Sequence, residues 1–159
     1  HQGAFDIFLI YGFLNRNFKW MMKKSLRKAL FIGKACEAAG HIFVDRSNPR
    51  AALQSMEKVK KELVDGISTV IFPEGTRTKT GEIGRFKQGA FKIAMDMELP
   101  VVPITLNGFY KAMPSGQPFA NPFSHLSVHI GKPIDISQFT EINDAMLHVR
   151  EQVEHGIVK

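Results

Sequence analysis

One cysteine, one tryptophan and two tyrosines are all that the 159 residues hold of these three types. The lone thiol, Cys36, excludes an intrachain disulfide and a zinc site built from thiolates of one chain, and it fits a reducing compartment. Long apolar runs are missing too. Ile7 to Leu14, the longest near the start, falls far short of the roughly 20 residues that a spanning helix needs. There is no signal-peptide pattern, internal repeat, low-complexity tract or recognisable nucleic-acid motif. No G-x-S-x-G elbow occurs, and no Ser or Cys sits on a sharp strand-to-helix turn, so a nucleophile of that kind is not supplied by the chain.

What is present is enough apolar sequence, 44%, to bury one sizeable core, and a net charge of +6. That charge suits an anionic membrane, nucleic acid or a phosphorylated small molecule without choosing among them. The chain begins at His1 rather than at Met, so a preceding segment is expected. One domain is expected over residues 1–159.

Periodicity predicts alternating helices and strands. Ile7 to Leu14 reads as a short helix with Asp6 in its first turn, where a carboxylate suits the helix dipole. "NFKWMM" reads as a strand, "SLRKALFIGKACEAAG" as a helix with a break at Gly33, and "HIFV" as a second strand. Pro49 marks a helix start, followed by Ala52, Leu53, Met56, Val59 and Leu63 at helical spacing, and Gly66 ends it. "ISTVIF" is a third strand, Lys87 to Met97 a helix, and "PVVPITLNG" a fourth strand. After a loop from Met113 to Ser124, "LSVHIG" is a strand and Thr140 to His155 a closing helix. Alternation of this kind predicts the α/β class, with a mostly parallel sheet flanked by helices.

In such sheets ligands gather at the carboxyl ends of strands. Glu74-Gly75-Thr76-Arg77 follows the third strand, and Asp45-Arg46 follows the second. Arg77 offers a planar fork for phosphate, and Gly75 permits the positive φ or close approach of an anion-binding turn. Arg46 lies just ahead of the helix starting near Pro49, whose free N–H groups favour the same anion. Taken singly, Arg46 is better explained by pairing with Asp45, and Arg77 by a solvated surface charge. Lys79, Arg85 and Lys87 extend the basic character, and Lys23, Lys24, Arg27 and Lys28 form a second cluster interleaved with Trp, Met and Phe, as on a segment lying against an anionic membrane.

His1 and Asp6 are five apart, ~140° around a continuous helix, so the histidine must precede the helix. From there the carboxylate can hold one imidazole nitrogen and leave the other to accept a proton. With no such nucleophile in the chain, one reading is that a substrate hydroxyl held near His1 is deprotonated as it attacks an activated acyl carbonyl. The plainer account is a terminal histidine and a helix-start acid. His41 and Asp45 share a strand face but lack a third ligand, and no metal site is expected.

Together these pieces resemble the glycerolipid acyltransferase family, in particular its lysophosphatidate acyltransferases. "HQGAFD" matches the H-x4-D block, "GHIFVDR" the second block, "FPEGTR" the third, and "VPIT" the fourth. Lys23, Leu26, Gly33 and Arg46 meet the further signature K-x2-L-x6-G-x12-R. The resemblance implies a glycerolphosphate acyltransferase-like fold with its N-terminal part missing. It also implies transfer of a fatty acyl group from acyl-CoA or acyl-carrier protein to the 2-hydroxyl of lysophosphatidate, with no cofactor. His1 would be the base and Asp6 its orienter. Arg46 and Arg77 would hold the phosphate, in a site shaped by Lys23, Glu74, Gly75 and Thr76. A membrane-associated enzyme facing the cytoplasm is implied, acting at an anionic membrane surface and without nucleic acid as a partner. The competing expectation is a non-catalytic basic module that binds anionic lipid or nucleic acid.

Overall fold

In the computed structural model, residues 5–29, 32–45, 49–63, 66–78, 80–112, 121 and 124–158 are described. The chain forms two compact units, Arg16–Phe72, and His1–Asn15 together with Pro73–Lys159.

The first unit is a three-stranded parallel sheet of β1 (Phe18–Lys23), β2 (Ile42–Val44) and β3 (Ser68–Val70), in the order β2-β1-β3. Its crossovers carry α2 (Ile32–Ala38) and α3 (Pro49–Leu63), so the expected α/β class with a parallel sheet flanked by helices is what the chain adopts. The central strand divides its partners by halves. Phe18, Lys19 and Trp20 face Ser68, Thr69 and Val70 of β3, while Met21, Met22 and Lys23 face Ile42, Phe43 and Val44 of β2.

Trp20, only 2% exposed, stacks on Phe72 at 5.4 Å and meets Phe18 edge-on at 5.7 Å between ring centroids. Buried aromatics of this size dominate core energetics, and truncating one costs ~3–5 kcal/mol. Val59 of α3 and Ile42 of β2 are fully buried, and α3 packs on β2, as the apolar spacing predicts. The helix expected over residues 25–40 is instead a 3-10 turn at Lys24–Lys28 followed by α2. Gly33 accounts for the close fit between them. A Cβ there would stand 2.1 Å from the Arg27 carbonyl oxygen, so only glycine lets the start of α2 approach that turn.

The second unit contains α1 (Phe5–Phe13), α4 (Gln88–Asp96), β4 (Ile104–Asn107), a short α5 (Phe109–Ala112), β5 (Ser127–Ile130) and α6 (Ile142–His155). Its core gathers Phe86, Phe91, Ala94, Ile134, Ile136, Ala145 and Val149, with α4 packed on α6. β4 and β5 pair antiparallel, from Ile104 opposite Ile130 to Asn107 opposite Ser127, a two-stranded ribbon rather than a continuation of the parallel sheet. Pro103 breaks the longer strand expected there, leaving Val101 as an isolated bridge to Ile134. Two buried polar residues of β4 tie down the end of α6. Thr105 Oγ1 donates to Val153 O at 2.7 Å, and Asn107 Nδ2 donates to Gly156 O at 2.9 Å.

Candidate active site

β3 ends at Val70, two residues earlier than the apolar run predicts, and the chain turns through Pro73 into Glu74-Gly75-Thr76-Arg77. Gly75 adopts φ 72°, the left-handed conformation expected of an anion-binding turn. The Glu74 side chain is buried and folds back across the loop, where Oε2 accepts the Gly84 N–H at 2.7 Å. The Lys87 N–H donates to Pro73 O at 2.9 Å, so the two ends of the 73–87 loop are joined. Within it, Thr78 Oγ1 accepts the Gly81 N–H at 3.0 Å.

This loop encloses an open cleft of about 400 Å³ whose lining includes Glu74, Thr76, Arg77, Glu82, Arg85 and Lys87. Among the described residues three cations and several hydroxyls thus face one space, and one of the two acids, Glu74, is engaged by a backbone N–H. Such a surface suits a phosphate monoester, for which guanidinium forks and ammonium groups supply charge-assisted hydrogen bonds.

Asp6 lies in the first turn of α1, and none of its surface is exposed. A carboxylate removed from water in this way needs a partner for its charge. His1, the imidazole expected to use it, and Arg46 of the second block lie outside the described residues, as does Lys79. Most of the loop expected from Met113 to Ser124 does too.

In the other unit, Lys23 closes β1 opposite Val44, the last residue of β2, so the register brings it to the strand end from which Asp45 and Arg46 follow in sequence. Asp45 accepts from Lys24 Nζ at 2.8 Å. This pair is exposed at its lysine and contributes little to stability. Arg27 is paired with Glu37, so part of the second basic cluster is neutralised locally. His41 is not arranged as a ligand, since its Nδ1 accepts the backbone N–H of Trp20 at 3.4 Å. Burial, and secondarily the charge of Lys19, lower its pKa from the ordinary 6.5. Burial pushes the Cys36 thiol up, away from the thiolate form that reacts. Among the described residues, no three His, Cys, Asp or Glu side chains are grouped to hold a metal ion, and no helix is long and apolar enough to cross a membrane.

Two features of the cleft were not foreseen. Gly84 carries no motif signal, although a Cβ there would stand 2.9 Å from Glu74 Oε2. Arg150, on the closing helix, reaches the same loop from 66 residues away. The sequence signal on offer is the alternation of charged and apolar residues in Arg85-Phe86-Lys87, and in the structure Phe86 is buried and the two cations are exposed.

A model of the family described as Acyltransferase matches residues 1–107, and the chain belongs to that family. Its relatives include a chloroplastic 1-acyl-sn-glycerol-3-phosphate acyltransferase of Arabidopsis thaliana, 34% identical over 155 residues, which are 97% of this chain and 43% of the relative. A 1-acyl-sn-glycerol-3-phosphate acyltransferase of Pseudomonas aeruginosa is 36% identical over 108 residues, 67% of this chain and 42% of that protein. The chain therefore spans less than half the length of either. The crystal structure of the 1-acyl-sn-glycerophosphate acyltransferase PlsC from Thermotoga maritima is similar to it with a TM-score of 0.77 at 26% identity, over 98% of this chain and 61% of that one. The family that the sequence resembles is thus the one that the family model, the relatives and the solved structure give.

Proposed function

We propose that the protein transfers a fatty acyl group from acyl-CoA or acyl-carrier protein to the 2-hydroxyl of lysophosphatidate, giving phosphatidate. In this reading His1, oriented by Asp6, takes the proton of the 2-hydroxyl as that oxygen attacks the thioester carbonyl. The C–O bond forms, the C–S bond breaks, and the imidazolium returns its proton to the departing thiolate. No covalent acyl-enzyme is needed, because the attacking group comes with the substrate and binding makes the reaction effectively intramolecular. Arg77 and Arg46 hold the phosphate, Lys23 adds charge, and Glu74, Gly75 and Thr76 shape the turn. The enzyme works at an anionic membrane surface, with its site toward the cytoplasm.

The observation that carries the reading is the Glu74-to-Gly84 bond, which shapes a basic cleft at the Glu-Gly-Thr-Arg block and leaves Arg77 on its lining. The named activity of the relatives supports the choice of substrate. The test is phosphatidate formation by the full-length protein given lysophosphatidate and acyl-CoA or acyl-carrier protein. Binding to anionic liposomes without turnover on either donor would replace the enzyme by a binding module.

A further inference from the structure

The closing helix α6 sends one side chain into the loop that carries Glu74 and Arg77. Arg150 Nη2 donates to Ile83 O at 3.1 Å, and Nη1 donates to Gly84 O at 2.8 Å. Its Nε donates to Glu154 Oε1 at 2.7 Å, one helical turn along, which aims the fork. The guanidinium carbon lies 5.8 Å from the centroid of the Phe86 ring, itself part of the buried core.

One peptide group joins this arginine to the site. The Ile83 carbonyl and the Gly84 N–H belong to the same planar unit. Its oxygen faces the Arg150 cation, and its N–H faces the Glu74 carboxylate. Both hydrogen bonds are charge-assisted, and each polarises the peptide in the sense that strengthens the other. Beyond Gly84 burial alternates, with Phe86 in the core while Arg85 and Lys87 are exposed and line the same cleft as Arg77. A shift of the 83–84 peptide would move Glu74 on one side and the two cations on the other.

We infer that Arg150 is a positioning residue of the phosphate cleft, acting through the Ile83–Gly84 peptide on Glu74 and on the arm that presents Arg85 and Lys87. It touches no substrate, and the inference rests on the acyl-transfer reading for what the cleft binds. Lysine is a poor replacement, because a single ammonium cannot span two carbonyls and a carboxylate as the planar fork does.

The experiment compares full-length wild type with Arg150→Met, Arg150→Lys and, as a control, Asn107→Ala, which loosens the far end of α6 without touching the arm. Arg150→Met is expected to raise KM for lysophosphatidate about tenfold, with kcat within about twofold of wild type. Amide exchange at Gly84 should quicken, and Arg150→Lys should fall between. Asn107→Ala should lower Tm while leaving KM and Gly84 exchange unchanged. Wild-type KM and wild-type Gly84 exchange in Arg150→Met would overturn the inference, as would an equal rise of KM in Asn107→Ala. If wild type makes no phosphatidate, the acyl-transfer reading falls. Gly84 exchange and the affinity for glycerol 3-phosphate in the same variants then decide the positioning role by themselves.

Discussion

Glu74 Oε2 accepts the Gly84 N–H at 2.7 Å, and a Cβ placed on Gly84 would stand 2.9 Å from that same oxygen. The bond and the close approach are one arrangement, so either residue can be used to break it. Gly84→Ala pushes the buried carboxylate off its donor, and a loss of ~1–3 kcal/mol is expected, the usual cost of stranding a buried polar group. Glu74→Gln retains an acceptor oxygen of the same shape and should lose less. Denaturant midpoints of the two variants check the order, and a Gly84→Ala protein as stable as wild type would contradict it.

Arg77 is exposed on the cleft lining, where its fork is suited to two phosphate oxygens at once. Arg77→Lys keeps the charge and loses the geometry. A KM for lysophosphatidate raised about tenfold at low ionic strength is expected, with kcat much less affected. An unchanged KM would remove Arg77 from phosphate binding.

Asp6 is wholly buried in the first turn of α1, five residues beyond His1 in sequence. If the two act as base and orienter, His1→Ala should lower kcat by roughly 10²–10⁴-fold while affinity for lysophosphatidate largely survives. Asp6→Asn should lower kcat in the same direction. Steady-state kinetics with a separate binding measurement provides the check, and full turnover by His1→Ala would exclude the histidine from proton transfer.

His41 offers a pH test within the sheet unit. Its Nδ1 accepts the Trp20 N–H, and burial together with Lys19 lowers its pKa below 6.5, so the fold favours the neutral ring. The unfolded chain then binds the proton more readily. The stabilising contribution is complete above the unfolded value and is lost as pH falls through the lower folded value. Between about pH 7.5 and about pH 5, stability should therefore decline less in His41→Gln than in wild type. Parallel declines in urea titrations would show that His41 does not carry the dependence.

Much of this was legible in the residues. The apolar spacing of α3, the turn at Gly75 and the parallel strand–helix alternation are local patterns, and local sterics decide them. The signature glycine Gly33 was visible as a position, but its contact with the Arg27 carbonyl was not. The antiparallel pairing of β4 with β5 was also hidden, because an apolar strand reads the same whichever neighbour it takes.

By itself the sequence determined the chemistry on offer: an imidazole ahead of an acid, guanidiniums after strands, a glycine in the turn after the third strand, and no Ser or Cys on a sharp strand-to-helix turn to act as nucleophile. Those follow from residue types and short spacings. Tertiary structure alone decided that Glu74 would turn back to Gly84 and that Arg150 would grip the other face of the same peptide. Contacts between positions ten and 67 apart in sequence arise from packing, which no repeat of 2 or about 3.6 residues records.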